Sequence, residues 1–296
     1  MDIDFYKKQS AISDVSEFSE VIRLLPNDVR ELCKFVQGNL IHSYWISHYG
    51  CEVQDHIRYS EMQIRYAKDL LDKSKSKSKR PITEDSQPIN KVVSICRDFS
   101  LLLCAILREK GIAARIRCGF SKYLNPGRYE DHWICEYWSE SQERWIMVDA
   151  QLDGIHRSVL NYQFDECDVP NTEFIYAGNA WQLCRNNEAA PENFGIFDLD
   201  GFPFIKGNLV RDLFALCKVE LMAWDTGWGI LNDPRQLVMS ESEYQLLDQL
   251  AVFSSKSDYA KAQRAIQSMD ELKFPKGWDI TQAPTISELL STQAEL

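Results

Sequence analysis

A cysteine attacks a carbonyl carbon as its thiolate, so the nine cysteines of this sequence divide by what surrounds them. Cys96 follows the apolar run Val92-Val93-Ser94-Ile95 and stands where a helix begins near Arg97. Backbone N–H groups and the positive end of the helix dipole favour a thiolate there, and Arg97 adds positive charge. The Cys96 N–H is also placed to donate to an oxyanion. Such a nucleophile needs a proton shuttle. His132 and Asp149 supply an imidazole and a carboxylate on two strand-like stretches joined by the polar turn Ser139-Glu140-Ser141-Gln142-Glu143. A four-residue loop at 139–142 pairs Trp138 with Glu143 and, carried along the ladder, His132 with Asp149. A six-residue loop leaves the two diagonal on one face, whereas an odd loop without a bulge sends them to opposite faces.

Asp153 is the rival acid, farther from His132 on this pairing. Asp98, two residues after Cys96, reads as a first-turn carboxylate favoured by the helix dipole. Asp131 and Glu136 read as solvated or substrate-facing. His132 and Cys135 have H-x-x-C spacing, but strand positions i and i+3 face opposite ways and no second ligand pair exists. No metal is expected, and no cofactor is called for. His42, Tyr44, Trp45 and His48 either wall a cleft or pack between helices. Asn208, Arg211 and Asp212 suggest a helix start with a surface ion pair, leaving Arg211 available to clamp a substrate carboxylate. Asp198-Leu199-Asp200-Gly201 opens like a calcium loop but lacks the closing acid at position twelve. Residues 224–229 suit a core or a cleft rim.

Five pieces occur in order over residues 90–153: Ser94-Ile95-Cys96-Arg97-Asp98-Phe99-Ser100-Leu101-Leu102-Leu103, Gly111-Ile112-Ala113-Ala114-Arg115, Cys118-Gly119-Phe120, His132-Trp133, and Arg144-Trp145-Ile146-Met147-Val148-Asp149. Together they resemble the core of the transglutaminase-like superfamily. The resemblance implies a papain-like cysteine fold, a catalytic triad of Cys96, His132 and Asp149, and a covalent thioester intermediate. It also implies an amide-bond-forming acyltransferase. The acyl donor would be a small molecule, a peptide or a carrier-protein thioester of natural-product biosynthesis, and the acceptor an amine. A cysteine peptidase or amidase would use the same three residues, and a catalytically silent interaction module is the remaining reading. Substrate contacts are sought at Trp133, His42, Trp45 and Arg211. Leu40-Ile41-His42, Arg211-Asp212-Leu213 and Val219-Glu220-Leu221-Met222-Ala223-Trp224-Asp225 are similar to a bacterial branch of that superfamily. They do not resemble the large animal transglutaminases, whose extra β-domains have no room in 296 residues.

Holding a sulfur, a ring and a carboxylate together requires a helix against a strand meander. Asp98 to Lys110 is apolar on one side and ends at Gly111, a helix stop. Strand patterns follow over 112–120, 132–138 and 144–152. Upstream, Pro26-Asn27-Asp28 opens a helix with Val29, Leu32, Cys33, Val36 and Leu40 on one face, and a second helix is expected over 60–71. The tract 73–81 carries five positive charges and no apolar anchors. It reads as a flexible Lys/Ser loop, with docking of an acidic partner as the second reading. Downstream, helices are expected over 174–185 and 209–224 around an irregular 186–208. Two more cover Ser240, with Glu243 in a capping box, to about Phe253, and 258–269. The tail from Phe274 reads as partly loose. The fold class is α+β: a papain-like core, its nucleophile-bearing helix packed on an antiparallel sheet, with additional N- and C-terminal helices. One domain is expected over 1–296, with N-terminal helices at 1–72, the loop at 73–81, the core at about 90–153 and a C-terminal helical part at 154–296.

Composition agrees with that picture. At 45% hydrophobic and 26% charged residues the chain has enough apolar content for a core, which excludes disorder. A net charge of −11 repels phosphates and argues against nucleic acid. The longest apolar run, 101–107, is far short of the ~20 residues that cross a bilayer, so no membrane is expected. Acidic and polar MDIDFYKKQS lacks an export pattern, and scattered cysteines without a CxxC pair suggest reduced thiols in a cytoplasmic protein.

Overall fold

The computed structural model describes residues 3–231 and 238–274. The sequence suggests one domain over 1–296; the chain groups into two compact units, Met1–Ile116 with Trp133–Pro170, and Arg117–His132 with Asn171–Leu296. The expected tail after Phe274 lies outside the described residues.

The first unit opens with α1 (Ile3–Lys7), α2 (Ser19–Leu24) and α3 (Val29–Asn39). Asp28 caps α3, its carboxylate accepting the Glu31 N–H at 3.1 Å, and Leu32, Cys33 and Val36 turn inward. β1 (Leu40–His42) lies parallel to β2 (Val92–Ser94), with His42 opposite Ser94. Between them, two helices replace the one expected over 60–71: α4 (Asp55–Met62) and α5 (Ala67–Lys77). At the restart the Ala67 N–H, which has no acceptor within the helix, is satisfied by the Ile12 carbonyl at 2.9 Å.

α5 also corrects the flexible loop expected at 73–81, because it runs through Lys77. Polar side chains do the packing that apolar ones usually do. Ser74 is buried and donates to Asn39 Oδ1 at 2.5 Å. Lys77 Nζ donates to buried Glu61 at 2.7 Å and to the Lys91 carbonyl, also at 2.7 Å. Glu61 is held further by the Val93 N–H at 2.8 Å. Ala67, Leu70 and Leu71 fill the first half of the inward face of α5, and a hydropathy pattern loses the helix where serine and lysine take over.

α6 (Cys96–Glu109) buries its whole length from Arg97 to Arg108. It ends as expected at Gly111, whose φ of +77° is the left-handed region; the Gly111 and Ile112 N–H groups close on the Arg108 and Leu107 carbonyls, at 2.9 Å each. β3 (Ala114–Ser121) and β4 (Tyr129–Ser139) follow, and β5 (Arg144–Val148) pairs antiparallel with β4 from Ser139 opposite Arg144 to Cys135 opposite Val148. α7 (Gly154–Leu160) closes this unit.

The second unit takes strands in the order β6 (Phe174–Tyr176), β3, β4, β7 (Phe194–Ile196) and β8 (Leu199–Asp200). β3–β6 and β7–β8 are antiparallel; β4–β7 is a parallel pair. Gly119 permits the close approach of β6, since a Cβ there would meet the Ile175 carbonyl oxygen at 2.1 Å. Residues 174–176, expected as helix, form β6 and lead straight into α8 (Ala177–Arg185). The helix expected over 209–224 is instead α9 (Gly201–Leu216). Pro203 suits a first helical turn, and Lys218 at φ +59° ends the run. α10 (Glu241–Ser255) begins with the expected capping box: Ser240 Oγ accepts the Glu243 N–H at 3.3 Å, and Glu243 accepts the Ser240 N–H at 2.8 Å. α11 (Tyr259–Ser268) follows its cap Asp258. Trp181, Leu209, Leu213, Phe214, Leu247 and Leu250 fill the core of this unit. Among the described residues no helix is long and apolar enough to cross a membrane.

Candidate active site

Ile95 is extended, at φ −115° and ψ 169°, and turns the chain from β2 into α6, which makes Cys96 the first helical residue. Asp98 reaches back one turn and accepts the Ile95 N–H at 3.0 Å, the first-turn role expected of it. Its other oxygen accepts from Arg97 at 3.0 Å. Both side chains are fully buried, and burial pushes the Asp98 carboxyl up despite Arg97. Arg97 also donates to the Arg65 carbonyl at 2.9 Å. Its charge is therefore committed to Asp98 and a carbonyl, a less simple picture than a cation beside the sulfur. Cys96 itself is half-buried. One turn on, the Ser100 hydroxyl lies 3.1 Å from the Cys96 carbonyl oxygen and 2.9 Å from that of Trp133. One hydroxyl thus ties the nucleophile's turn to the strand residue that follows His132.

Alternation along β4 turns His132 and Trp133 to opposite faces. Trp133 is 1% exposed, which corrects its expected place among substrate contacts: it is a core side chain. His132 is buried, edge-on to Tyr123 and Phe174 at ring separations of 5.9 and 6.4 Å. Asp149 directly follows β5 and is buried. Its N–H donates to the Glu166 carbonyl at 2.9 Å, and its Oδ1 accepts the Gln151 N–H at 3.0 Å. The β4–β5 loop occupies 140–143, one residue later than expected, with Glu143 at φ +51°. Carried one place past Val148, that register sets Asp149 opposite Ile134, on the strand face that His132 shares. The observed register therefore does not give the direct pairing of His132 with Asp149 that the sequence leads one to expect.

The rival acid, Asp153, has other work. It caps α7, accepting the Ile155 and His156 N–H groups at 2.9 and 3.0 Å, and it also takes His156 Nδ1 at 2.8 Å and the Tyr49 hydroxyl at 2.5 Å. Burial alone would raise its carboxyl, but the bonds from His156 and Tyr49 outweigh that and lower it to about 2. A carboxylate depressed on folding stabilises the fold above its unfolded value near 4 and loses that contribution as pH falls through about 2. Asp153→Asn should therefore cost roughly 2 kcal/mol at neutral pH. Urea unfolding of the two proteins should converge as the buffer is acidified; a gap that persists undiminished in acid would contradict this.

Residues 47–150 match the family described as the transglutaminase-like superfamily. The matched segment is similar to that superfamily and contains Cys96, His132 and Asp149, whereas Asp153 falls outside it. A search of curated proteins found no match. Among solved structures, a Cytophaga hutchinsonii protein provisionally assigned as a cysteine protease aligns at 17% identity and a TM-score of 0.32. The alignment covers 51% of this chain and 42% of that one, a similarity too low to bear on fold or activity.

Just upstream of the transglutaminase-like segment, His42 ends β1 two residues short of Cys96 in register, and its ring lies 6.4 Å from Phe99 on α6. The Ser43 N–H donates to the Ser94 carbonyl at 2.9 Å, which carries the next residue, Tyr44, along the lead-in to Cys96. Burial pushes the Tyr44 phenol up, and the Cys96 sulfur is among the charges it feels; the Arg58 guanidinium sits 4.9 Å from its ring centre. The Tyr44 ring lies 5.8 Å from that of His42, so Tyr44 joins the cluster for which the sequence reading favours His42 and Trp45. Trp45 packs against His48 and His156, with tilted rings at centroid separations of 4.6 and 4.1 Å. The remaining polar candidates are interior groups. Arg211 is buried, donating to the Met222 carbonyl at 3.3 Å, and burial lowers its pKa; it is neither a surface ion pair nor an exposed clamp. Asp131 accepts from Asn208 at 2.7 Å and is pushed up by burial, and Glu136 forms a buried pair with Arg115 at 2.6 Å. Glu136 is not solvated, whereas Asp131 keeps part of its surface exposed. Among the described residues no three His, Cys, Asp or Glu side chains gather as metal ligands.

Proposed function

We propose that this chain is a thiol acyltransferase acting through an S-acyl-enzyme on Cys96, with His132 as proton carrier and Asp149 as its orienting acid. The observation that carries the reading is the Ser100 hydroxyl, which joins the turn begun by Cys96 to the strand bearing His132 inside a transglutaminase-like segment. The Cys96 thiolate adds to the donor's carbonyl carbon, and the oxygen that gains charge faces the Cys96 N–H at the head of α6. Collapse expels the leaving group, which takes the proton carried by His132. An amine then attacks the thioester, gives its proton to His132, and releases the Cys96 thiolate with a new amide bond. Asp149 holds the ring and stabilises the imidazolium. The donor is a small molecule, a peptide or a carrier-protein thioester, and the acceptor an amine. Free thiols at all nine cysteines suit the reducing cytoplasm, where we place the protein.

Water in place of the amine makes the same machinery a peptidase or amidase. Incubation with an activated acyl thioester and a primary amine separates the two. Acyl transfer predicts amide product that rises with amine concentration at the expense of free acid; free acid alone, whatever the amine concentration, would assign hydrolysis.

A further inference from the structure

Two thiols that the acyl chemistry does not use lie together in the first unit. Cys33 on α3 and Cys167, beyond α7, are both free, and Arg30, one turn before Cys33 on the same helix, donates to Asp165 and Glu166 in the turn that carries Cys167. Their exposure differs sharply. Cys33 is 2% exposed, whereas Cys167 is half-buried and lines an open groove of about 690 Å³ with Arg30, Tyr137 and Asp168. The turn carrying Cys167 is tightly held. Asp165 accepts the Cys167 N–H at 2.9 Å, and the Arg30 fork donates to Asp165 and Glu166, at 2.7 Å each. On either side of Cys167, the Glu166 carbonyl accepts the Asp149 N–H at 2.9 Å and the Val169 N–H donates to Met147 at 2.8 Å. Interaction with Cys167, then burial, pushes the Cys33 thiol well up; the same interaction, with Arg30 and against burial, pulls Cys167 down. One sulfur is favoured as a thiolate at the groove, and the other is kept as a thiol behind it.

We propose that Cys33 and Cys167 are a redox-active dithiol, oxidised to a disulfide by low-molecular-weight disulfides that enter the groove. The Cys167 thiolate attacks one sulfur of the small disulfide, forming a mixed disulfide and expelling one small thiolate. Cys33 gives its proton to that thiolate and attacks the Cys167 sulfur, expelling the second, which is protonated from water. Two protein thiols lose two electrons, and the small disulfide gains them as two thiols. Cys104 and Cys135 are both fully buried, out of reach of any such oxidant.

The test uses the full chain carrying Cys96→Ala, so that it stands apart from the acyl chemistry. The protein is treated with 2-hydroxyethyl disulfide at neutral pH and mapped by proteolysis and mass spectrometry without reduction. A Cys33–Cys167 disulfide should form at least about tenfold faster than any adduct at Cys217, whose thiol burial pushes up to about 12, and Cys104–Cys135 should stay reduced. Adding Cys33→Ser should trap the small thiol on Cys167, and adding Cys167→Ser should leave Cys33 unmodified. Modification of Cys167 no faster than Cys217, or a stable mixed disulfide on Cys167 with Cys33 present, would overturn the proposal. Because Glu166 holds the Asp149 backbone, oxidation should also slow acyl labelling of Cys96 in the wild-type protein. That coupling rests on the triad reading. An unchanged labelling rate removes the coupling and leaves the dithiol, whereas no labelling of the reduced protein at all counts against the triad.

Discussion

His132→Ala should slow acylation of Cys96 by an activated ester about a thousandfold or more at neutral pH. The expectation comes from the ring's place at the end of β4's buried face, with the Cys96 turn tied to the next residue through Ser100. A thiol without a base nearby is ionised only to the extent bulk pH allows. The deficit should therefore shrink as pH is raised, because hydroxide then does what the imidazole did. Asp149→Asn keeps the backbone bond to Glu166 and should act on the ring alone, costing about a hundredfold or more with little change in unfolding temperature. Stopped-flow acylation across pH measures both. A His132→Ala rate within a few-fold of wild type at neutral pH would remove the imidazole from the mechanism.

The largest stability effect lies elsewhere. Asp212→Ala should destabilise the protein by about 3–5 kcal/mol, because it leaves a fully buried guanidinium without its counter-charge. Asp212 accepts from Arg117 Nε and NH2, at 2.9 and 2.7 Å, from the Cys118 N–H at 3.0 Å and from Ser254 Oγ at 2.6 Å. Arg117 additionally lies 3.6 Å from the Tyr176 ring centre and donates to the Ser254 carbonyl at 2.9 Å. The pair thus pins β3, α9, α10 and β6 within one unit. Replacing both partners by apolar residues, Arg117→Met with Asp212→Leu, should recover most of the loss, since no charge is then stranded. Urea unfolding decides. A double variant as unstable as Asp212→Ala would show that shape and hydrogen bonds matter there rather than the unpaired charge.

The parts of this protein that could be read from its residues are those whose signals are local. Cys96 at a helix head, Gly111 as a helix stop and the Ser240–Glu243 capping box each depend on a few adjacent side chains, and each stands where expected. The β4–β5 hairpin was legible as a hairpin, but its loop lies one residue later, because turn backbone such as Glu143 at positive φ leaves little trace in side-chain type. Features built by distant partners were not legible. α5 is held by Asn39 and Glu61 on neighbouring segments, and so resembles a loop when read alone. Arg211, Asp212 and Glu136 look like surface charges until the groups that neutralise or surround them are brought in from elsewhere in the chain. Trp133 has the same difficulty in reverse: adjacency to His132 suggests a site residue, and strand alternation puts it in the core.

Incubating the full chain with an activated acyl thioester, quenching in acid and locating the adduct by peptide mass spectrometry tests the nucleophile directly. The acyl group should sit on the peptide containing Cys96, disappear in Cys96→Ala, and discharge to an added primary amine. Acylation scattered over several cysteines, or undiminished in Cys96→Ala, would contradict the account.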